Sequence, residues 1–142
     1  MAGLHAAAVA ATVSTGTSAK TLLRITAPAN QGVRVNRLSI SFAGTSPTAG
    51  KIKVDLIKGN TGGTSSSLTP QKIHGHAGAV QATAREAFSA EGSGGTVIAT
   101  ESVHPQGGYT FPEEILLLNE SLDIRVTAPA AVNAEVRARW EE

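Results

Sequence analysis

The sequence predicts an all-β fold, a single jelly-roll-like antiparallel β-sandwich of about eight strands with a short N-terminal arm. Four segments alternate strictly between apolar and polar residues, which is the period of half-buried strands. Turn signals rich in glycine, asparagine and serine separate the segments about every 8–12 residues, a spacing typical of sandwiches and barrels. Eight strands arranged as two Greek keys form a jelly roll, and the 142 residues suffice for one such domain.

The predicted strands fall into two groups, according to how strictly apolar and polar residues alternate in them. Strict alternation identifies the strands at 38–42, 52–56, 122–126 and 134–140. Weaker patterns predict further strands at 10–14, 21–26, 81–87 and 96–103. A short helix over 80–89 is an alternative to the strand at 81–87. The continuously apolar run 115–118 indicates a strand that is covered on both faces or that lies at a subunit contact.

We divide the chain into an N-terminal arm, residues 1–17, and a sandwich domain, residues 18–142. The arm consists mainly of small residues without a clear period, so we predict that it orders on a neighbouring subunit or on a partner. Such a segment could add a strand to an exposed sheet edge. A frayed terminus is the alternative.

Charges are divided unequally between the two halves of the sequence. Residues 1–72 hold eight lysines and arginines against one carboxylate, a net +7, and residues 73–142 hold four arginines against ten carboxylates, a net −6. Early strands of a jelly roll pair largely with late ones, so opposite charges would face each other across strands. The division therefore predicts pairing between the halves. It disfavours nucleic-acid binding, which needs uncompensated positive charge on one face.

Metal binding has one candidate cluster, His74 and His76, with His104 or Glu101 as further ligands. The glycines that flank the two histidines favour a solvated loop instead. Cysteine is absent, which excludes thiol catalysis, thiolate metal sites and disulfides. We therefore predict no metal and no cofactor.

One candidate catalytic triad can be assembled from the sequence, and it consists of Ser102, His104 and Asp123. No strand–turn–helix elbow surrounds the serine, as nucleophilic serines of that kind require. We therefore predict no catalytic residue and a protein that is not an enzyme. No apolar segment is long enough to span a membrane, so no membrane partner is predicted either.

Two aromatic residues are candidates for contact with a ligand or partner. Trp140 falls on the apolar phase of its strand, which favours burial in the core or at a subunit seam over a sugar-stacking platform. Tyr109 follows two glycines and is more open. With the arm included, the residues predicted to contact a partner are Leu4, His5, Val9, Val13, Tyr109 and Trp140.

The C-terminal segments 107–115 (GGYTFPEEI), 122–129 (LDIRVTAP) and 136–142 (VRARWEE) resemble small structural proteins of tailed bacteriophages. Over roughly residues 18–142, the strand order resembles the jelly-roll decoration (cement) proteins of phage capsids. The resemblance implies a virion protein on the outer surface of the capsid that forms trimers and braces the shell. It carries over no binding residue position by position.

The resemblance leads to a hypothesis with two kinds of partner. The chain would decorate and stabilise a phage capsid by bridging subunits of the major capsid protein, as a homo-oligomer, with a trimer expected. The arm would make the contact with the capsid or with the next subunit. The alternative is a carbohydrate- or receptor-binding sandwich of a phage fibre or of a secreted assembly.

Overall fold

The computed structural model describes residues 3–46, 48–75 and 77–142, and these residues form strands without any helix. The all-β sandwich is thus confirmed, and the segment 80–89 contributes a strand rather than a helix. The strands are β1 (His5–Ser14), β2 (Lys20–Thr26), β3 (Val33–Phe42), β4 (Ile52–Lys58), β5 (Thr64–Leu68), β6 (Gln71–His74), β7 (Thr83–Ala90), β8 (Thr96–Val103), β9 (Gly108–Phe111), β10 (Glu114–Leu116), β11 (Ser121–Thr127) and β12 (Asn133–Glu141).

The strands form two six-stranded antiparallel sheets. The front sheet has the order β6-β1-β12-β3, with β9 and β10 both paired to the far edge of β3. The back sheet has the order β5-β7-β2-β11-β4-β8. Pro112 and Glu113 separate β9 from β10, and proline cannot donate to a ladder, so the two short strands act as one interrupted edge strand.

The connectivity is that of a jelly roll with one insertion. When β9 and β10 count as one strand, eight core strands lie four in each sheet. The front sheet has β1, β12, β3 and the strand β9–β10, and the back sheet has β2, β11, β4 and β8, as in a jelly roll. The remaining strands β5 to β7 belong to residues 59–95, which are inserted between β4 and β8. The insertion adds three strands and the interruption between β9 and β10 adds one, which explains why twelve strands form where the sequence pattern predicts about eight.

The prediction of an N-terminal arm over residues 1–17 is wrong for the described residues. β1 lies inside the front sheet, hydrogen-bonded to β12 on one side and to β6 on the other. Its inward side chains Ala6, Ala8 and Ala10 are buried, as is Leu4 just before it. The alternation is real, but both faces of the strand carry alanine, so a hydrophobicity pattern does not reveal it.

A buried ion pair lies on the outer face of the back sheet. Arg24 on β2 donates to Asp123 on β11 through Nε to Oδ1 at 2.7 Å and through Nη2 to Oδ2 at 2.9 Å. The insertion covers this pair: Arg24 Nη1 donates to the Gly62 carbonyl at 2.7 Å, and Asn60 Nδ2 donates to Asp123 Oδ2 at 3.2 Å. Phe88 packs its ring against the guanidinium, with 4.7 Å between the ring centroid and Cζ. The outer faces of β2 and β11 are therefore buried as well as their inner faces.

Two further carboxylates fasten the insertion to the sandwich. Glu91 accepts from the Thr21 backbone N–H at 2.9 Å and from the Thr21 hydroxyl at 2.6 Å. Glu142 accepts from the backbone N–H of Gln81 at 2.8 Å and from Trp140 Nε1 at 3.0 Å. The inserted strands are thus held at several points of the sandwich.

The ion pairs confirm that the two halves of the sequence pair with each other. Cations of the first half meet carboxylates of the second half in the pairs Arg24–Asp123, Arg34–Glu113, Lys58–Glu114 and Lys58–Glu120. The reverse combination occurs once among the described residues, between Arg125 and Asp55. Three of the eight basic residues of the first half, Arg24, Arg34 and Lys58, are therefore paired with carboxylates of the second half.

Removal of β1 should abolish the fold. A chain that begins at Ser18 would expose the edges of β12 and β6 and the core surface that β1 covers, so we expect no cooperative unfolding transition by circular dichroism in urea. A control that lacks only Ala2 keeps β1 and should unfold like the full chain. A shortened chain with an unchanged urea midpoint would show that β1 is dispensable.

The Arg24–Asp123 pair should be essential for stability. Asp123→Asn leaves a buried guanidinium without its counter-charge, and we expect the free energy of unfolding to fall by about 3–5 kcal/mol. The matched control is Glu113→Gln, which breaks the exposed pair with Arg34 and should change the free energy by less than about 1 kcal/mol. Urea denaturation of both variants measures the difference, and equal midpoints would contradict the assignment.

Candidate functional site

The residues of the candidate catalytic triad do not lie close together. Asp123 is fully buried and bound by Arg24 and Asn60. Ser102 pairs with Lys53 on β4, whereas Asp123 pairs with Ile57. These two β4 positions are four residues apart, about 13 Å along a strand. The triad therefore has no catalytic geometry.

The histidines of the candidate metal cluster are also separated. His74 stacks on His5 with 4.3 Å between ring centroids, and His104 lies in the turn between β8 and β9. Glu101 accepts a hydrogen bond from Tyr109, and His76 lies outside the described residues. In the part of the chain that the structure describes, no three side chains of His, Asp or Glu converge as metal ligands would. No helix of that part is long and apolar enough to cross a membrane.

Three of the predicted contact residues belong to the core. Leu4 and Trp140 are 0% exposed and Val13 is 7% exposed, so none of them can offer its side chain to a partner. Their strands β1 and β12 are neighbours in the middle of the front sheet, and the apolar phase of each strand points inward. Val9 is 45% exposed and His5 is half-buried, both on the outer face of the front sheet. These two remain available for contact.

Tyr109 is half-buried and joins the edges of the two sheets. Its hydroxyl donates to Glu101 Oε1 at 3.1 Å, from β9 in the front sheet to β8 in the back sheet. Its ring packs edge-on against Phe111 with 4.9 Å between centroids. The hydrogen bond to Glu101, with smaller contributions from burial and from the negative charge, raises the pKa of Tyr109 above its ordinary value.

The side of the sandwich formed by β8, β9, β10 and the following turn is here called the open edge. Its strands are paired on one side only, β8 with β4 and β9 and β10 with β3, so their outer N–H and C=O groups have no strand partner within the sheets. Among the described residues, seven large aliphatic side chains are exposed, and five of them belong to the open edge. These five are Val97, Ile98, Ile115, Leu117 and Leu118.

The turn after β10 presents two leucines on a rigid backbone. Leu117 is 66% exposed and Leu118 is 55% exposed. The Leu117 carbonyl accepts from Glu120 N–H at 3.1 Å, and Asn119, in the left-handed region at φ 60°, donates its N–H to the Pro28 carbonyl at 3.2 Å. The apolar run 115–118 is thus buried at Leu116 and exposed at Ile115, Leu117 and Leu118, so it is not a strand covered on both faces. The subunit contact stays a prediction.

A charge cluster anchors the same turn. Lys58 Nζ lies 3.1 Å from Glu114 Oε1 and 3.1 Å from Glu120 Oε1, which connects the end of β4 to β10 and to the turn. Burial lowers the pKa of Lys58, but the hydrogen bonds and the attraction of the two carboxylates outweigh it and raise the pKa overall. A surface cavity of about 340 Å³ adjoins the turn, between Leu117 and Val33. Apolar side chains, a rigid backbone and unpaired strand edges therefore coincide at the open edge.

Comparison with solved structures gives a similarity that is weak. No protein-family model matches the chain, and no curated protein matches it. Among solved structures, it is similar to VP17, a capsid protein of bacteriophage P23-77, with a TM-score of 0.20 and 9% sequence identity over 100% of this chain and 84% of that chain. A TM-score of 0.20 does not indicate a shared fold.

The contact between Tyr109 and Glu101 predicts a titration shift that absorbance can measure, because the chain contains one tyrosine. We expect the phenol to ionise above its ordinary pKa in the folded protein and Glu101→Gln to lower the midpoint. Since the folded pKa is raised, the contact stabilises the fold below the unfolded value of about 10, and this contribution is lost as the pH rises through the folded pKa. Glu135→Gln, at a carboxylate that pairs with Arg137, is the control. An unchanged midpoint in Glu101→Gln would contradict the assigned cause.

Proposed function

We propose that this chain is a non-enzymatic structural subunit of a virion, which decorates a phage capsid and stabilises it by bridging subunits of the major capsid protein. The observation that carries the proposal is the open edge, where five exposed aliphatic side chains accompany unpaired strand edges. Surfaces of this kind are typical sites of protein association. They bind other protein surfaces.

The energetics of the open edge suit assembly. Burial of a leucine or isoleucine side chain contributes about 1.5–3 kcal/mol. Ile115, Leu117 and Leu118 therefore offer enough driving force for a weak contact, before any strand pairing is counted. A subunit that makes several such contacts at once gains apparent affinity through effective concentration. This is how a small decoration protein would brace a shell on its outer surface.

A trimer is the form of self-association that we propose. In a ring of three, each interface joins two different surfaces, so the open edge of one copy would meet another face of the next copy. The exposed leucines on the turn after β10 are suited to this role because the backbone that presents them is already ordered. Pre-ordered contacts lose less conformational entropy on association.

The geometry favours assembly over carbohydrate recognition. A sugar-binding sandwich would use exposed aromatic rings as stacking platforms. Trp140 is buried, and Tyr109 is half-buried with its hydroxyl bonded to Glu101. The two aromatic rings that supported sugar binding are thus both occupied by contacts within the chain.

Leucine-to-lysine substitutions on the turn should separate assembly from folding. We expect Leu117→Lys and Leu118→Lys each to convert the oligomer to monomer in light scattering and to abolish co-sedimentation with purified capsids, because a charge cannot be buried in an apolar contact. Both side chains are exposed, so the urea midpoint should stay the same within error.

The matched control is Ile73→Lys, on β6 at the opposite side of the front sheet, where the side chain is similarly exposed. It should leave assembly intact. A monomeric unmodified chain would overturn the proposed self-association. Failure of the unmodified chain to bind capsids would overturn the virion role, whatever its oligomeric state.

A further inference from the structure

Two arginines face each other on the outer face of the front sheet without a counter-charge. Arg37 on β3 is directly opposite Arg139 on β12, and both side chains are exposed. Neither guanidinium makes a hydrogen bond or an ion pair within the part of the chain that the structure describes. Like charges directly opposite each other oppose strand pairing. The pair therefore destabilises the sheet unless an anion lies between the two groups.

A β-bulge places the two arginines beside a cleft. The register between β3 and β12 shifts at Arg139 and Trp140, and Asn36 and Arg37 are consecutive exposed residues at that point of β3. A bulge of this kind re-aims the side chains next to it. The cleft has a volume of about 200 Å³ and is lined by His5, Ala6, Asn36, Arg37, Ile73, Arg139 and Trp140. Its size suits one small ligand.

The charged groups around the cleft leave it basic. Arg34 is paired with Glu113, and Arg137 is paired with Glu135, so each of these arginines is compensated. Glu141 lies next to Arg34 and His5 in the ladder, but it makes no ion pair within 4 Å among the described residues. Its carboxylate lies against Gly3, where an added Cβ would come within 2.8 Å of Oε1. Lys72 on β6 is opposite Ala6, but it does not line the cleft, and its ammonium donates to the Gly78 carbonyl at 3.2 Å.

We propose that Arg37 and Arg139 form a binding site for a small oxyanion, a carboxylate or a phosphate. Two guanidinium groups can each donate two parallel hydrogen bonds to such an anion, which is the geometry that arginine provides and lysine does not. The amide of Asn36 can add a further donor from the bulge. The bound anion would neutralise the two facing cations. The site lies on the face of the front sheet and not on the open edge. A test that contradicts anion binding would therefore leave the proposed assembly unaffected, and a test that contradicts assembly would leave the anion site unaffected.

The test is a titration of the full chain with inorganic phosphate and with succinate, with sodium chloride as the control for ionic strength. Heteronuclear NMR follows the Nε–H signals of the arginine side chains. We expect a saturable shift of the Arg37 and Arg139 signals with one or both oxyanions, and weakening of binding by about tenfold or more in Arg37→Gln and in Arg139→Gln. The matched control is Arg137→Gln, which removes an arginine of the same strand and face that already has a carboxylate partner.

The two probes distinguish the sources of the anion. Preference for phosphate would indicate a phosphorylated ligand, and preference for succinate would indicate the carboxylate of an acidic ligand or side chain. Equal shifts with chloride at matched ionic strength would overturn the proposal. Equal weakening by Arg137→Gln would overturn it as well, because binding would then reflect only the general charge of the face. The urea midpoints of all three variants verify that each is folded.

Discussion

The buried pair between Arg24 and Asp123 is the interaction on which the arrangement of this sandwich depends. Desolvation of two charges is costly, so such a pair persists only when its polar atoms are all bound. Here both carboxylate oxygens and the guanidinium are used, with the Gly62 carbonyl and the Asn60 amide completing the set. A shift of one residue between β2 and β11 would turn the two side chains to opposite faces. The pair thus constrains the register of the back sheet as well as the position of the insertion.

The position of the insertion determines which surfaces remain free. Because Asn60, Gly62 and Phe88 cover the outer face of the back sheet, that face has become a second buried layer. The outer face of the front sheet and the open edge are left uncovered. The outer face of the front sheet carries arginines beside a cleft, whereas the open edge carries aliphatic side chains on strand edges. The proposed anion site and the proposed protein contact lie on different surfaces, so they would not compete.

The parts of the fold that the sequence predicts are those in which large apolar residues report the strand period. Leu38, Ile40 and Phe42 in β3 are an example, and the predicted cross-half pairing is confirmed by the ion pairs. Only the C-terminal part of β1, at 10–14, follows from the same reasoning, because the buried and exposed faces of this strand both carry alanine. The segment 80–89 is ambiguous for a different reason. Its local preference is weak, and its pairing with β2 and β5, distant in sequence, makes it a strand.

The open edge and the arginine cleft also differ in whether the sequence predicts them. The open edge has a sequence signal, since an apolar run of four residues next to a turn is unusual for a solvated strand. The facing arginines have none, because they are about a hundred residues apart and only the pairing of β3 with β12 brings them together. Two pairs of arginines lie directly opposite each other, Arg37 with Arg139 and Arg24 with Arg85. Arg24 is paired with Asp123 and Arg85 donates to Ser65, whereas Arg37 and Arg139 have no such partner among the described residues. At the proposed anion site, the missing negative charge would be supplied by the ligand.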